Sequence, residues 1–415
     1  MHAVRVAILL GLLAVSSLPA AAIRHLTVAQ LEKTLASSVA KHRADDEIMR
    51  EFGDFDLTER LTDATRTRIC DTLHLGPQTT LALQLIGDES ALLDPPAAEL
   101  PADAAPDAST AGRIFDAATV YVTQTLPYLP DFLATRATYT FNDTPQVLKV
   151  NEWPVRVGLH LVKNTTRDIT FRDDHEVTAA LSRAANSPAA SASAPAAPAV
   201  SAPPEPGLQS YGEFGQLLRL ILIDAAKNKP AFHHWEKTPA GLVAVYRYAV
   251  PKTDSHYEVN YCCLYDGIRT NARQGGGRRG GGGGGVVGNQ PGSAATFLRK
   301  VPGYHGSLFI DPTSGVIRRI TLEADMGDGP VSRAATVIEY GPVTIGDRKF
   351  ICPLRSMYVW EGPAEWSPPS SEIPVASVQA LEPKGTLYVN ETSFTNYHRL
   401  GSTVRVLSEA EAEHP

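Results

Sequence analysis

The densest group of ionisable side chains in this sequence is the segment Arg172–Glu176, which reads Arg-Asp-Asp-His-Glu. Carboxylates and imidazoles are the usual metal ligands and proton carriers, so such a segment could form a metal or acid–base site. No further histidine or carboxylate follows it at a fixed spacing. We therefore interpret it as a solvated turn after a strand, and a secreted hydrolase that uses Asp173–Glu176 is only a second alternative function.

Two adjacent histidines, His233 and His234, lie in a predicted strand. Successive strand residues point to opposite faces, so we expect that they cannot bind one ion together without a partner such as His256 from another strand. The Gly-x-Ser-x-Gly turn that would present a serine nucleophile is missing from the sequence. We predict no catalytic residue, no metal site and no cofactor.

The four cysteines, Cys70, Cys262, Cys263 and Cys352, do not have the spacing of a zinc site. Cys263 and Cys352 both fall on the apolar face of their predicted strands, so we predict a disulfide between them. Cys262 would then either form a disulfide with Cys70 or stay free. The alternative is that the adjacent pair is reduced and buried.

The N-terminus predicts export. One early positive charge, the apolar run Val6–Val15 and an Ala-x-Ala ending predict a signal peptide over residues 1–22. No later segment approaches the roughly 20 apolar residues of a membrane span. The net charge of −7 disfavours nucleic acid as a partner. We expect a soluble periplasmic or secreted protein, with at most a peripheral contact with the envelope membrane.

The order of predicted elements is helices followed by a long antiparallel meander, which is an α+β fold. We predict a small helical N-terminal region over 23–93, a linker over 94–108 and an antiparallel domain over 109–415. An Ala/Ser/Pro-rich segment at 184–207 and a glycine-rich segment at 272–292 cannot bury enough apolar surface to order, so we predict disordered inserts.

The central part of the meander is Gly303–Trp360, in which strands alternate with the tight turns Asp311–Gly315 and Ile345–Arg348. The apolar period in the strand after the first turn places Val316 in the core and makes Arg318 a charged intruder on that face. Phe214–Ala225 has the clearest amphipathic helical period in the chain. We expect a strongly curved sheet wrapped around one or two helices.

Three stretches carry a resemblance to a known family: Leu-Pro-Asp-Phe at 129–132, Gly-Tyr-His-Gly-Ser-Leu-Phe-Ile-Asp-Pro-Thr-Ser-Gly at 303–315, and Asn-Glu-Thr-Ser-Phe-Thr-Asn-Tyr-His-Arg at 390–399. Together with the segment 339–353, these three stretches resemble uncharacterised secreted bacterial proteins. The β part of those proteins is similar to the outer-membrane lipoprotein carrier and receptor fold. The resemblance covers Ser109 to the C-terminus. It implies an incomplete antiparallel barrel and, by analogy, the handling of a lipid or lipoprotein, and it transfers no functional residue.

The inward apolar residues are the candidate ligand-binding set. They are Tyr257, Val259, Tyr261, Leu308, Ile310, Ile320, Leu322, Ile338 and Tyr340. Either helices fill this face, or they leave a cavity for an acyl chain, in which each buried CH₂ contributes about 0.8 kcal/mol. Our leading hypothesis is a non-enzymatic exported protein that binds a lipid or acylated partner. The alternative is a structural or protein-interaction module of the envelope with a filled barrel.

Overall fold

The computed structural model describes residues 23–124, 128–146, 157–177, 207–208, 212–264, 296–362 and 385–400. The predicted signal peptide lies outside these residues. So do the predicted glycine-rich insert and all but the last residue of the predicted Ala/Ser/Pro-rich insert.

The N-terminal region consists of short helices around a core of its own. Its elements are β1 (Arg24–Leu26), α1 (Val28–Ala40), α2 (Asp45–Glu51), β2 (Phe55–Leu57), α3 (Asp63–Leu73) and α4 (Pro77–Glu89). Thr27 and Gln30 form a capping box at the start of α1, and Pro77 is the first residue of α4. The helices bury Leu31, Ile69 and Leu83 completely, and this shared core stabilises helices that are too short to be stable alone.

The rest of the described chain is dominated by one large antiparallel sheet. Its strands are β3 (Phe132–Asn142), β4 (His160–Arg172), β5 (His175–Val177), β7 (Ala231–Thr238), β8 (Gly241–Val250), β11 (Tyr304–Ile310), β12 (Ile317–Ala324), β13 (Arg333–Ile345), β14 (Arg348–Gly362) and β15 (Thr386–Arg399). Their spatial order is β5-β4-β3-β15-β14-β13-β12-β11-β8-β7, and the sheet is open, with β5 and β7 at its edges. A smaller sheet contains β6 (Gly207–Leu208), β9 (Val259–Leu264) and β10 (Thr296–Lys300). The predicted α+β class is confirmed.

Helices cover both faces of the large sheet. On one face lie α5 (Ala108–Gln124) and α6 (Gln216–Ala225), which contact inward residues such as Ile338. On the other face the N-terminal region packs through Leu85 and Ala91 against residues such as Val337. Because Val337 and Ile338 are successive residues of one strand, the two helical layers lie on opposite sides of the sheet. Among the described helices, none is long and apolar enough to cross a membrane.

A β-bulge in β12 corrects one expectation. Ile310 pairs with Ile317 while Phe309 pairs with Arg319, so Arg318 is an extra residue in its strand. The bulge turns Arg318 towards Asp311, with 3.4 Å between the guanidinium and the carboxylate, and it gives the core position to Ile317, which is fully buried. The expectation that Arg318 intrudes on the core was therefore wrong, whereas Val316 is partly buried against the core cluster.

Candidate functional site

The predicted ligand-binding residues fall into two clusters. Leu308, Ile310, Ile320, Leu322, Ile338 and Tyr340 are 0–6% exposed and pack with α5 and α6, and Tyr257 is partly buried against the same cluster. Val259 and Tyr261 contact a different set of residues around Trp360 and Tyr388. The face that was the candidate for an acyl chain is therefore occupied by Leu218 and Ile221 of α6 and by Ala118 and Val122 of α5.

Within the described residues, the acidic segment after β4 forms a turn whose acids pair with arginines. Asp173 and Asp174 both have positive φ, as a two-residue hairpin turn between β4 and β5 requires. Asp174 pairs with Arg219, and Glu176 accepts two hydrogen bonds from Arg136 at 3.0 and 2.8 Å. Each of these two acids thus pairs with an arginine, and Arg136 also contacts Glu213 at 3.4 Å, which is the pattern of a structural ion-pair network.

Among the described side chains, Cys70 and Cys352 are free thiols. Cys352 is fully buried among aromatic residues, and burial raises its pKa to about 12. The side chains of Cys262 and Cys263 lie outside what the structure describes, so the Cys263–Cys352 disulfide stays a prediction. The backbone of Cys263 belongs to β9 in the smaller sheet, whereas Cys352 belongs to the large one.

A polar cavity of about 280 Å³ lies between the N-terminal layer and the outer face of the large sheet. Among the described residues, its charged lining consists of Arg60, Asp63, Arg66, Asp88, Arg319, Glu339 and Arg355. Arg319, Glu339 and Arg355 of the lining belong to a cross-strand row in which Phe309 pairs with Arg319, Arg319 with Glu339, and Glu339 with Arg355. Directly opposite residues of neighbouring strands share a face, so the row presents all four side chains to the N-terminal layer.

Two of these arginines lie beside the same aromatic ring. The guanidinium carbons of Arg60 and Arg319 are 5.6 and 5.3 Å from the centroid of Phe309. Arg60 is only 3% exposed and pairs with Glu236, whereas the Arg319 guanidinium donates to the Ala91 carbonyl and comes no closer than 3.9 Å to Glu339. Burial and the nearby Arg60 charge lower the pKa of Arg319 to about 10. Arg319 is therefore a poorly neutralised cation.

The cavity also has unused hydrogen-bond donors. Within the described residues, the buried Nε atoms of Arg60 and Arg319 have no acceptor. A buried donor without a partner costs about 1–3 kcal/mol, and more when it is charged. The other two arginines of the lining already have acids: Arg66 pairs with Asp63 at 3.0 Å, and Arg355 pairs with Asp88 and Glu391. The cavity is donor-rich at Arg60 and Arg319.

A pair of buried carboxyl groups closes one side of the cavity. Arg355 donates to both Asp88 and Glu391, and Gln84 donates to Glu391 at 2.8 and 3.0 Å. Burial and the Glu391 charge hold the pKa of Asp88 well above its usual range. Burial alone would raise the pKa of Glu391 too, but hydrogen bonds from Asp88, Arg355 and Gln84 lower it below the usual value. The Arg355 guanidinium is thus shared between these two carboxyl groups and is already paired within the protein.

A second polar group lies at the edge strand β7. Phe232 pairs with Tyr246 and His234 with the next residue, Val245, so His233 is an extra residue in a bulge. The two imidazole rings consequently lie 4.8 Å apart between centroids. Our expectation that His233 and His234 point to opposite faces was wrong, because a bulge breaks the period of two on which it depended.

The neighbours of these histidines are acids. Nε2 of His233 lies 3.3 Å from Oδ2 of Asp94, and Nε2 of His234 lies 3.4 Å from Oε2 of Glu236. The suggested partner His256 is held elsewhere, with its Nδ1 2.6 Å from the buried Asp224 carboxylate. Sequence reasoning missed Asp94 because it lies 139 residues from His233.

Comparison with protein-family models, with curated proteins and with solved structures finds no match for this chain.

Proposed function

We propose that this protein is an exported binding protein whose ligand is a small oxyanion, a carboxylate or phosphate compound, held in the cavity between the N-terminal helices and the sheet. The observation that carries the proposal is the pair of guanidinium groups of Arg60 and Arg319 beside Phe309, each with a buried Nε that lacks an acceptor. Guanidinium presents a planar fork of donors that matches carboxylate and phosphate oxygens.

The electrostatics favour an anion at Arg319 in particular. A buried charge is costly unless it is paired, and the nearest acid to Arg319, Glu339, is 3.9 Å away. An oxyanion that accepted hydrogen bonds from Arg319 and Arg60 would neutralise the charge of Arg319. It would also offset the repulsion between the two guanidinium groups. A volume of about 280 Å³ is at the low end for ligand pockets, so the ligand is small.

The hypothesis of an apolar ligand has less support. An acyl chain could enter the inner face only if α5 or α6 left it, which would expose residues such as Leu218 and Ile221 that are now buried. Burial of these residues supports a filled barrel. We retain the strongly curved, incomplete barrel as the proposed scaffold, with α5 and α6 as its filling and the ligand on its outer side.

The proposal is tested by thermal unfolding at low ionic strength with phosphate, sulfate, succinate and citrate, using chloride to match the ionic strength. An anion at ten times its Kd stabilises the folded state by about 1.4 kcal/mol. We expect this stabilisation by an anion for the wild type and for Arg113→Met, which removes an exposed arginine of α5. We expect Arg319→Met to lose the stabilisation, because the variant has no guanidinium group at this position.

A second variant separates ligand binding from a structural role. Glu339→Gln removes a negative charge opposite Arg319 while it keeps the shape of the side chain. If the cavity binds anions, Glu339→Gln should bind the same anion more tightly than the wild type. The proposal is wrong if none of the four oxyanions stabilises the wild type beyond chloride, or if Arg319→Met responds as the wild type does.

A further inference from the structure

We propose that Asp94, His233 and His234 form a binding site for a divalent transition-metal ion of the zinc class. Each residue offers one ligand atom, and the three atoms lie within 4.8 Å of one another. The site is separate from the oxyanion cavity, and the inference does not depend on it.

The backbone brings these ligands together through two independent features. The bulge in β7 places adjacent histidines side by side, which a regular strand cannot do. The Asp94 carboxylate comes from the segment after α4, whose backbone is held here because the Arg60 amide donates to the Asp94 carbonyl at 2.7 Å. Bulges are over-represented beside functional sites, where they re-aim a side chain.

The set of ligands suits zinc and its neighbours in the first transition row. Two imidazoles and a carboxylate are a common protein set for these ions, and they leave a position for water or substrate. Metal–ligand bonds of about 2.0–2.1 Å place tetrahedral ligand atoms roughly 3.4 Å apart. The most widely separated atoms must therefore approach one another by up to about 1.4 Å, and the side chains of His233 and Asp94 are 36% and 48% exposed, which gives them room to move.

An outer carboxylate supports the ligand role of His234. Glu236 lies against Nε2 of His234 and is itself held by Arg60. Metal-binding histidines usually donate their second nitrogen to a carboxylate, which fixes the tautomer and the ring orientation. With Nε2 facing Glu236, Nδ1 of His234 is the nitrogen that remains for the ion.

Arg247 competes with the metal for Asp94. Its guanidinium contacts the same Oδ2 atom that faces His233, and its side chain is 52% exposed. An incoming ion must displace Arg247 into solvent, where its charge is readily hydrated. Arg247→Leu should therefore bind the metal more tightly than the wild type. If the cluster is only a surface ion-pair network, this variant gains no affinity.

The experiment uses the full chain, first stripped with a chelator that is then removed. Zn²⁺ is titrated by calorimetry, and Co²⁺ by the visible absorption that a tetrahedral site produces. We expect one ion per chain. The loss of a residue that contacts only a metal ligand weakens metal binding roughly 10–100-fold. His233→Ala and Asp94→Asn each remove a ligand itself, so each should weaken metal binding by more than that.

The control is His305→Asn. His305 lies 3.2 Å from Asp325 and is exposed, so it is a histidine–acid pair outside the proposed site. Its replacement should leave affinity and stoichiometry unchanged. If no saturable binding of Zn²⁺ or Co²⁺ is found, or if Asp94→Asn binds the metal as the wild type does, there is no metal site here. Asp94→Asn is nearly isosteric, so it decides the question even if His233→Ala does not fold.

Discussion

Glu89, near the end of α4, makes the stability of the fold depend on pH. Burial, with the charges of Asp143 and Asp56 nearby, raises the pKa of Glu89 from 4.5 to about 8. Between about pH 4.5 and pH 8 the Glu89 carboxyl is protonated in the folded state but ionised in the unfolded state. The stabilisation that this proton gives the folded state is complete below about pH 4.5 and is lost as the pH rises through 8.

Glu89→Gln should remove this dependence, because the amide does not ionise. We expect the variant to raise the free energy of unfolding by about 2 kcal/mol at pH 9, allowing for partial exposure of the group, and to change it little at pH 4. Urea unfolding at both pH values measures the effect, with the exposed Glu47→Gln as the control. An equal change at pH 4 and pH 9 would contradict the assignment.

At the scale of the element, α6 has a buried side and an exposed side that can be compared directly. Ile221 is fully buried against the sheet, whereas Ile223 is 67% exposed on the same helix. Ile221→Ala should lower the free energy of unfolding by about 2–5 kcal/mol, because it leaves a cavity in a packed core. Ile223→Ala should change it by less than about 0.5 kcal/mol.

Chemical denaturation of the two variants also bears on how the inner face is used. If α6 fills that face in the native protein, the two isoleucines differ in the expected way. Similar small effects for both would mean that α6 is loosely held, and the face would then be open to an apolar ligand.

Local sequence signals predicted the elements better than they predicted the sites. The capping box at Thr27, the proline at the start of α4 and the turn residues of Asp311–Gly315 act within a few positions, and the elements follow them. The helix predicted at Phe214–Ala225 begins at Gln216, because Gly212 and Gly215 both have positive φ and lie before the first helical turn.

The sites depend on information that local patterns do not contain. Arg60 and Arg319 are 259 positions apart, and only the register of β11, β12 and β13 brings Arg319 beside Phe309 and Glu339. For His233 and Arg318, the predicted face of the sheet was wrong. Both errors arose at β-bulges, where one inserted residue reverses the expected alternation of side chains. Arg319, Thr321 and Glu323 alternate along β12 and so share its outer face, and this polar pattern is a signal that could have marked the cavity.

At the scale of the whole molecule, the N-terminal helices complete a site that the sheet begins. The sheet supplies Arg319, Glu339 and Arg355, and the N-terminal layer supplies Arg60 and Asp88. The layers are joined by charged contacts, Arg60 with Glu236 and Arg355 with Asp88, as well as by apolar packing. An oxyanion in the cavity would bind both layers at once, so its binding should stabilise the molecule as a unit.

The most direct test of the oxyanion site observes the two unpartnered N–H groups themselves. In ¹⁵N NMR of the arginine side chains, resonances are assigned by Arg60→Lys and Arg319→Lys, and the oxyanion that stabilises the protein most is titrated. We predict that the Nε–H signals of Arg60 and Arg319 shift together along one saturable curve, while that of the exposed Arg113 does not. If the signals of Arg60 and Arg319 move no further than that of Arg113, the cavity does not bind the anion and the proposed function is wrong.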